Sequence, residues 1–174
     1  VSSFDNYSLY LNKATELNKD YVFPFATVNA NYNISKSSSF YMQYNYEVDF
    51  PQAFQIMPVL NLANPLNTII GNENLDLIEN HNFYLSFRDF DYATRSGYMF
   101  YGGGNYYSNQ VVSFVEYDVN RKATTTYKNV EGTYNSWFGG RWNKSIKKEA
   151  NNYKFGFGLW GGYDLSKGFT QGEM

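Results

Sequence analysis

Apolar and polar residues alternate with a period of two along most of the chain, a pattern typical of β-strands whose two faces are solvated differently. Between 40 and 49, the even positions hold Phe, Met, Tyr, Tyr and Val, and the odd positions hold Tyr, Gln, Asn, Glu and Asp. Similar runs recur at 7–11, 26–34, 83–88, 98–107, 130–143 and 153–164. We therefore expect an all-β fold of about seven strands, each antiparallel to its neighbours.

Composition supports a sheet rich in rings and poor in charge. Aromatic residues make up 21% of the chain, with 18 Tyr, 15 Phe and 3 Trp, and charged residues make up only 17%, below the roughly 25% of ordinary soluble domains. The absence of Cys excludes disulfide scaffolds, thiolate metal sites and Cys nucleophiles. His81 is the single histidine, and a net charge of −2 offers no basic surface for nucleic acid.

Strand length and connection length favour a membrane protein. The alternating runs are about 10 residues long or more, which suits a tilted membrane-crossing strand, whereas strands of soluble proteins average about 5–6 residues. We expect the run at 111–119 to extend the strand at 98–107. Shorter connections at 35–38, 89–97 and 144–152 alternate with longer ones at 12–23, 50–80 and 108–122. Outer-membrane barrels alternate short periplasmic turns with long extracellular loops. The sequence therefore predicts an antiparallel meander of long strands that forms part of a transmembrane β-barrel, with residues 1–174 as one barrel segment.

In each of these strands every second residue is mainly apolar and often aromatic. These positions share one face of the sheet, which is the candidate lipid-facing surface. Its predicted members are Phe40, Met42, Phe83, Phe87, Phe138, Phe155 and Phe157. The opposite parity is rich in Asn, Thr and Gly and carries charge, as a water-facing lumen would. The core of a soluble β-sandwich would show the same alternation, so strand length and the placement of Tyr and Trp toward run ends decide in favour of lipid.

One segment of the long connection resembles a signature of TonB-dependent outer-membrane receptors. Asn64-Pro65 is followed by Gly71-Asn72-Glu73-Asn74-Leu75, similar to the family's Gly-Asn-Pro-x-Leu with Glu73 in place of proline. Glu79 and the run from His81 stand near the family's Lys-Pro-Glu and next strand. The resemblance implies a wide barrel of about 22 strands with a plugged lumen, of which this chain supplies about a third and no plug.

Few residues are candidates for chemistry. Glu47 with Asp49, and Glu116 with Asp118, are interpreted as lumen- or loop-facing polar residues at a strand end rather than acid–base pairs. We expect His81, which borders a strand and the long loop, to have a surface or loop-packing role, and we predict no catalytic residue, metal site or cofactor. The candidate ligand-binding residues lie in or near loops and are Asn64, Asn67, Asn72, Tyr106, Tyr107 and Asn109.

Together these expectations describe a non-catalytic part of a nutrient receptor in the outer membrane of a Gram-negative bacterium. Its partners would be outer-membrane lipid, the remainder of the barrel and plug, an inner-membrane energy-coupling protein reached through the plug, and a small nutrient such as a siderophore, glycan or peptide. Nucleic acid is not an expected partner. Two alternatives stay open: a soluble β-sandwich that binds carbohydrate, and a small closed barrel of about eight strands with a structural or adhesion role.

Overall fold

The computed structural model describes residues 2–10, 13–21 and 24–169. In chain order the elements are β1 (Ser2–Tyr10), β2 (Lys13–Tyr21), β3 (Ala26–Asn33), β4 (Ser38–Asp49), α1 (Ala53–Ile56), β5 (Leu60–Asn64), β6 (Asn67–Ile70), β7 (Ile78–Asp91), β8 (Ser96–Ser108), β9 (Gln110–Tyr117), β10 (Ala123–Val130), β11 (Thr133–Lys148) and β12 (Asn151–Leu165). The fold is all-β, as predicted. No helix in the described part of the chain is long and apolar enough to cross a membrane.

Six strands form the main sheet, in the order β12–β11–β8–β7–β4–β3. Every neighbouring pair is antiparallel, so the chain meanders across the sheet and returns to it after each long excursion. Five of the six strands have 12 to 16 residues. The predicted antiparallel meander of long strands is confirmed, and each of its six strands overlaps one of the alternating runs.

The short connections lie together at one end of the main sheet. They are residues 34–37, 92–95 and 149–150. The predicted turns at 89–97 and 144–152 are wrong in extent. β7 continues to Asp91 and β8 begins at Ser96, and β11 continues to Lys148 and pairs with Asn151 across a two-residue turn. Glu149 takes a positive φ of 55° there, which gives the backbone the sharp reversal that a short hairpin needs.

Three other expectations about the long connections need correction. The connection at 12–23 contains β2, which pairs with β1 over its whole length; Leu11, part of the predicted first strand, lies outside the described residues. The connection at 50–80 contains α1, β5 and β6. The run at 111–119 does not extend β8, because Asn109 has a φ of 55° and β9 beyond it pairs with β10 instead.

The two long excursions that leave the main sheet after β4 and β8 fold together into a second sheet. Its order is β5–β6–β10–β9, and β6 and β10 run parallel, with Thr68 opposite Thr124. We call this four-stranded unit, together with α1 and the chain from Phe50 to Leu77, the loop sheet. Both excursions start from the same end of the main sheet, which brings β6 and β10 within reach of each other although they are far apart in the sequence.

The loop sheet holds the buried core of the described chain. Ile56, Leu75 and Tyr127 pack together, with Ile69 and Val111 against them. The turn after β6 approaches this core very closely, since a Cβ at Gly71 would lie within 2.9 Å of three backbone atoms of Met57. The long loops are therefore a compact packed unit.

Both edges of the main sheet are open within the described residues. β3 pairs only with β4, β12 pairs only with β11, and β1 pairs only with β2. The pairing of the first and last strands that would close a small barrel is thus not formed among these residues.

Candidate functional site

One face of the main sheet, here called the apolar face, carries aromatic and aliphatic side chains in rows across the strands. Phe40 lies opposite Phe87, and Phe87 lies opposite Phe100. In the neighbouring row Met42 lies opposite Leu85. Because successive side chains of a strand point to opposite faces, this register produces one continuous apolar band.

A row of amphipathic rings borders the band at the end of the sheet that carries the loop sheet. Tyr46 lies opposite His81, His81 opposite Tyr106, and Tyr106 opposite Tyr134. The ring centroids of Tyr46 and His81 are 5.0 Å apart, and those of His81 and Tyr106 are 6.0 Å apart. The hydroxyl of Tyr44 lies 2.8 Å from Nδ1 of His81. We call this row the upper girdle, and it gives His81 a packing role among tyrosines.

A second row of such rings borders the band near the short turns. Tyr98 lies opposite Trp142. We call Tyr98 and Trp142 the lower girdle; Lys144 and Phe155 lie opposite each other one step beyond it, and Tyr153 lies one step further still. Tyr98 and Tyr106 are separated by eight positions of β8, about 26 Å along the strand at about 3.3 Å per residue. No Asp, Glu, Lys or Arg of the described sheet lies on the apolar face between the two girdles.

The rings of the apolar band are open to their surroundings. Phe100 is 56% exposed, Phe138 59% and Phe157 66%. No described helix or strand packs over this face, and the buried core lies in the loop sheet. Contiguous exposed apolar surface of this kind marks a site of interaction with a membrane or with another protein.

The seven residues predicted to face lipid all lie on the apolar face. This set comprises Phe40, Met42, Phe83, Phe87, Phe138, Phe155 and Phe157. Phe138 lies opposite Gly102 and Phe157 lies opposite Trp142, which places both on the side of Leu85 and Phe100. Their contact with lipid stays a prediction.

The other face, here called the polar face, carries a row of amides that sequence alternation alone does not reveal. Asn45, Asn82, Asn105 and Asn135 lie opposite one another on four successive strands of the sheet. Asn82 donates to Asn105 at 2.7 Å, and Asn105 donates to Asn135 at 3.0 Å. We call these four residues the Asn row. Their parity was visible in the sequence, but their common height depends on a register that only the structure provides.

Four of the six candidate ligand-binding residues hold the loops together. Oδ1 of Asn67 accepts a hydrogen bond from Thr125 at 2.9 Å, and Nδ2 of Asn72 donates to the carbonyl of Tyr127 at 2.9 Å. Oδ1 of Asn64 accepts from the N–H of Leu66 at 2.9 Å. The carbonyl of Asn109 accepts from Asn129 at 2.7 Å.

The two tyrosines of that candidate set are separated by the sheet. Tyr106 lies in the upper girdle, whereas Tyr107 lies opposite Asn80 on the polar face. The structure therefore does not bring the six candidates into one site.

Within residues 24–169 the carboxylates lie near strand ends and in turns. Oδ1 of Asp118 accepts two backbone hydrogen bonds at 2.8 Å, from Asn120 and Lys122. Asp91, at the short-turn end beyond the lower girdle, accepts a hydrogen bond from Thr94 at 2.8 Å, and this bond lowers the pKa of Asp91. The described residues contain no group of three or more His, Asp or Glu that could hold a metal ion.

An open meander of long antiparallel strands, with a ring-bearing band that lacks charged residues between two girdles, is typical of the class of outer-membrane β-barrel proteins. Comparison with known families agrees with this geometry. The model of the outer membrane protein beta-barrel family matches residues 3–167. The chain belongs to this family.

A search of curated proteins found no significant match.

Proposed function

We propose that this chain forms part of the wall of a TonB-dependent receptor that imports a small nutrient across the outer membrane of a Gram-negative bacterium. The observation that carries the membrane part of this proposal is the charge-free band between the upper and lower girdles. Its length along the strand is about 26 Å, which at the usual barrel tilt of about 35–45° gives a height of about 20 Å, of the same order as the apolar band of about 25 Å that barrels present to lipid. In this proposal the apolar face contacts lipid and the polar face lines the lumen.

The open edges support further strands beyond the described sheet. An unpaired strand edge inside hydrocarbon would leave backbone N–H and C=O groups without partners, at a cost of several kcal/mol for each group. β3 and β12 present such edges. We therefore propose that additional strands pair with both, as the resemblance to a barrel of about 22 strands implies.

The two ends of the sheet differ in the way expected for an asymmetric membrane. The connections at 34–37, 92–95 and 149–150 are short, whereas the opposite end carries the loop sheet. By the rule that outer-membrane barrels have short periplasmic turns and long external loops, the loop sheet faces outside. There it would help to capture the nutrient, and the role proposed for the chain is non-catalytic.

The receptor part of the proposal rests on the segment from Asn64 to Leu75. Asn64 ends β5, Pro65 follows it in the turn before β6, and Gly71-Asn72 follows β6. These residues build tight turns of the loop sheet: Oδ1 of Asn64 accepts from Leu66, and the N–H of Asn72 donates to the carbonyl of Gln55 at 2.7 Å. The resemblance thus falls on turns that shape the external unit.

The proposal is tested by asking whether the full-length protein engages an energy-coupling protein. The protein purified in detergent is mixed with the periplasmic domain of the host's TonB-type protein, and complex formation is measured by size-exclusion chromatography. We expect a complex that is lost when the N-terminal plug of the full-length protein is deleted. A full-length protein without a plug, or one that forms no such complex, would contradict receptor function while leaving the barrel itself in place.

The uncovered apolar face argues against the soluble β-sandwich alternative. A sandwich buries the ring-bearing face of one sheet against a second sheet about 10 Å away, whereas here Phe100, Phe138 and Phe157 are more than half exposed. The loop sheet extends the end of the main sheet and does not pack over this face.

A further inference from the structure

The polar face carries a group of aromatic rings that a water-filled lumen does not require. Tyr41, Tyr84 and Trp137 lie in sequence across it, with ring centroids 5.9 Å and 5.7 Å apart. Tyr101 continues the group at 6.1 Å from Trp137. These four residues, together with the 82% exposed Trp160, are called the ring platform. They come from five of the six strands of the main sheet.

Two rings of the platform lie against the sheet because glycine stands opposite them. A Cβ on Gly103 would lie 2.9 Å from Cζ2 of Trp137, its register partner. A Cβ on Gly139 would lie within 2.5 Å of Cζ, Cε2 and Oη of Tyr101, its own partner. Each ring therefore covers a glycine on the neighbouring strand, and its other side is turned away from the backbone. Trp137 keeps 40% of its surface exposed in this position.

Polar groups border the platform on both sides. The Asn row lies one register step from Trp137 toward the loop sheet, with Asn135 and Asn105 opposite each other. Toward the short turns, Arg141 lies two residues beyond Gly139 on β11 and opposite Met99. Within the platform the hydroxyl of Tyr41 donates to Gln43 at 3.0 Å. Amide and guanidinium groups thus lie next to exposed ring surface.

This combination matches the chemistry of a sugar ring. A pyranose has C–H surfaces that pack on an aromatic ring and a rim of hydroxyl groups that donate to and accept from amides. From β4 to β11 the platform crosses three strand spacings, about 14 Å at about 4.7 Å each, which is longer than one sugar ring. We infer that the ring platform and the Asn row bind an oligosaccharide on the polar face. This inference rests on the proposed function, because it takes the polar face as the lumen wall.

The opposite face supplies a matched control. Trp137 and Trp142 lie on the same strand, are 40% and 45% exposed, and point to opposite faces because they are five residues apart. Trp160 and Phe157 form a similar pair on β12, with exposed fractions of 82% and 66%. The Trp160 pair is included because a highly exposed ring is removed with little loss of packing.

The experiment measures binding of defined saccharides to the full-length protein in detergent by isothermal titration calorimetry. The probes are maltoheptaose, xylohexaose, mannohexaose and trigalacturonic acid. We expect at least one probe to bind, and Trp137→Ala and Trp160→Ala each to raise its Kd about tenfold, the loss of about one ring contact. Trp142→Ala and Phe157→Ala leave the Kd unchanged.

Two results would overturn the inference: no probe binds, or variants of the two faces affect the Kd equally. If another part of the receptor covers the platform, the variants of both faces leave the Kd unchanged, which is the second result. Neither result would contradict the proposed function, which is tested separately by complex formation with the energy-coupling protein.

Discussion

The main sheet and the loop sheet are built from the same chain but are stabilised in different ways. The loop sheet has strands of 4 to 8 residues around a buried core of Ile56, Leu75 and Tyr127. In the main sheet five of the six strands have 12 to 16 residues, and Phe100, Phe138 and Phe157 are more than half exposed. A sheet that buries its apolar side chains within the protein is suited to aqueous surroundings. A sheet that exposes its rings in a band between girdles is suited to the hydrocarbon region of a membrane.

Removing a core side chain of the loop sheet gives the largest expected effect. Leu75→Ala deletes buried methyl groups from a residue that is 3% exposed and should destabilise the loop sheet by about 2–5 kcal/mol. Limited proteolysis in detergent should show faster cleavage within 50–77 and 109–132, while the barrel keeps its heat-modifiable migration on gels. Leu66→Ala, at a residue that is 73% exposed, serves as the control. Loss of the barrel together with the loops would show that the two sheets are one cooperative unit.

A charge in the middle of the apolar band gives the next largest effect. Leu85 lies in the row midway between the girdles, opposite Met42 and Gly102. Leu85→Arg should cost about 2–4 kcal/mol if that row lies at the bilayer midplane, measured by urea unfolding in lipid vesicles. The neighbouring Ser86→Arg, on the polar face, should cost little. Equal costs at the two positions would mean that the faces are not solvated differently.

Replacing the side-chain amide of Asn72 in the loop sheet gives the smallest of the three expected effects on stability. Asn72→Asp keeps the Oδ1 that accepts from the N–H of Asn74 at 3.0 Å but removes the Nδ2 donor to the carbonyl of Tyr127. We expect a loss of about 1 kcal/mol in loop-sheet stability, read from the same proteolysis assay. Unchanged proteolysis with weakened nutrient uptake would instead assign Asn72 to ligand binding.

Alternation was sufficient to predict the main sheet because its strands place mainly apolar residues on one face and mainly polar residues on the other. The seven apolar-face residues follow from parity alone, as does the polar parity of Asn105. The loop sheet could not be predicted in this way. Its strands are short, β9 separates from β8 only through the backbone of Asn109, and the parallel pairing of β6 with β10 joins residues more than 50 positions apart.

The Asn row and the ring platform were missed for a related reason. Tyr84 and Trp137 both have polar parity, but nothing local to either residue indicates that they meet. Their contact depends on Gly103, which stands between them in the register and leaves space for the indole. A sequence pattern therefore predicts the face of a side chain, whereas its neighbours across the sheet depend on register.

The central claim, that the apolar face contacts lipid, is tested most directly by the neighbours Met99 and Phe100. The chain has no Cys, so Met99→Cys and Phe100→Cys introduce single labels on opposite faces of β8. Each variant of the full-length protein, with any other cysteines replaced, is labelled with bimane and reconstituted in vesicles with and without brominated lipid. We predict strong quenching by brominated lipid at position 100 and little at position 99. Quenching at position 99 and none at position 100 would contradict the account.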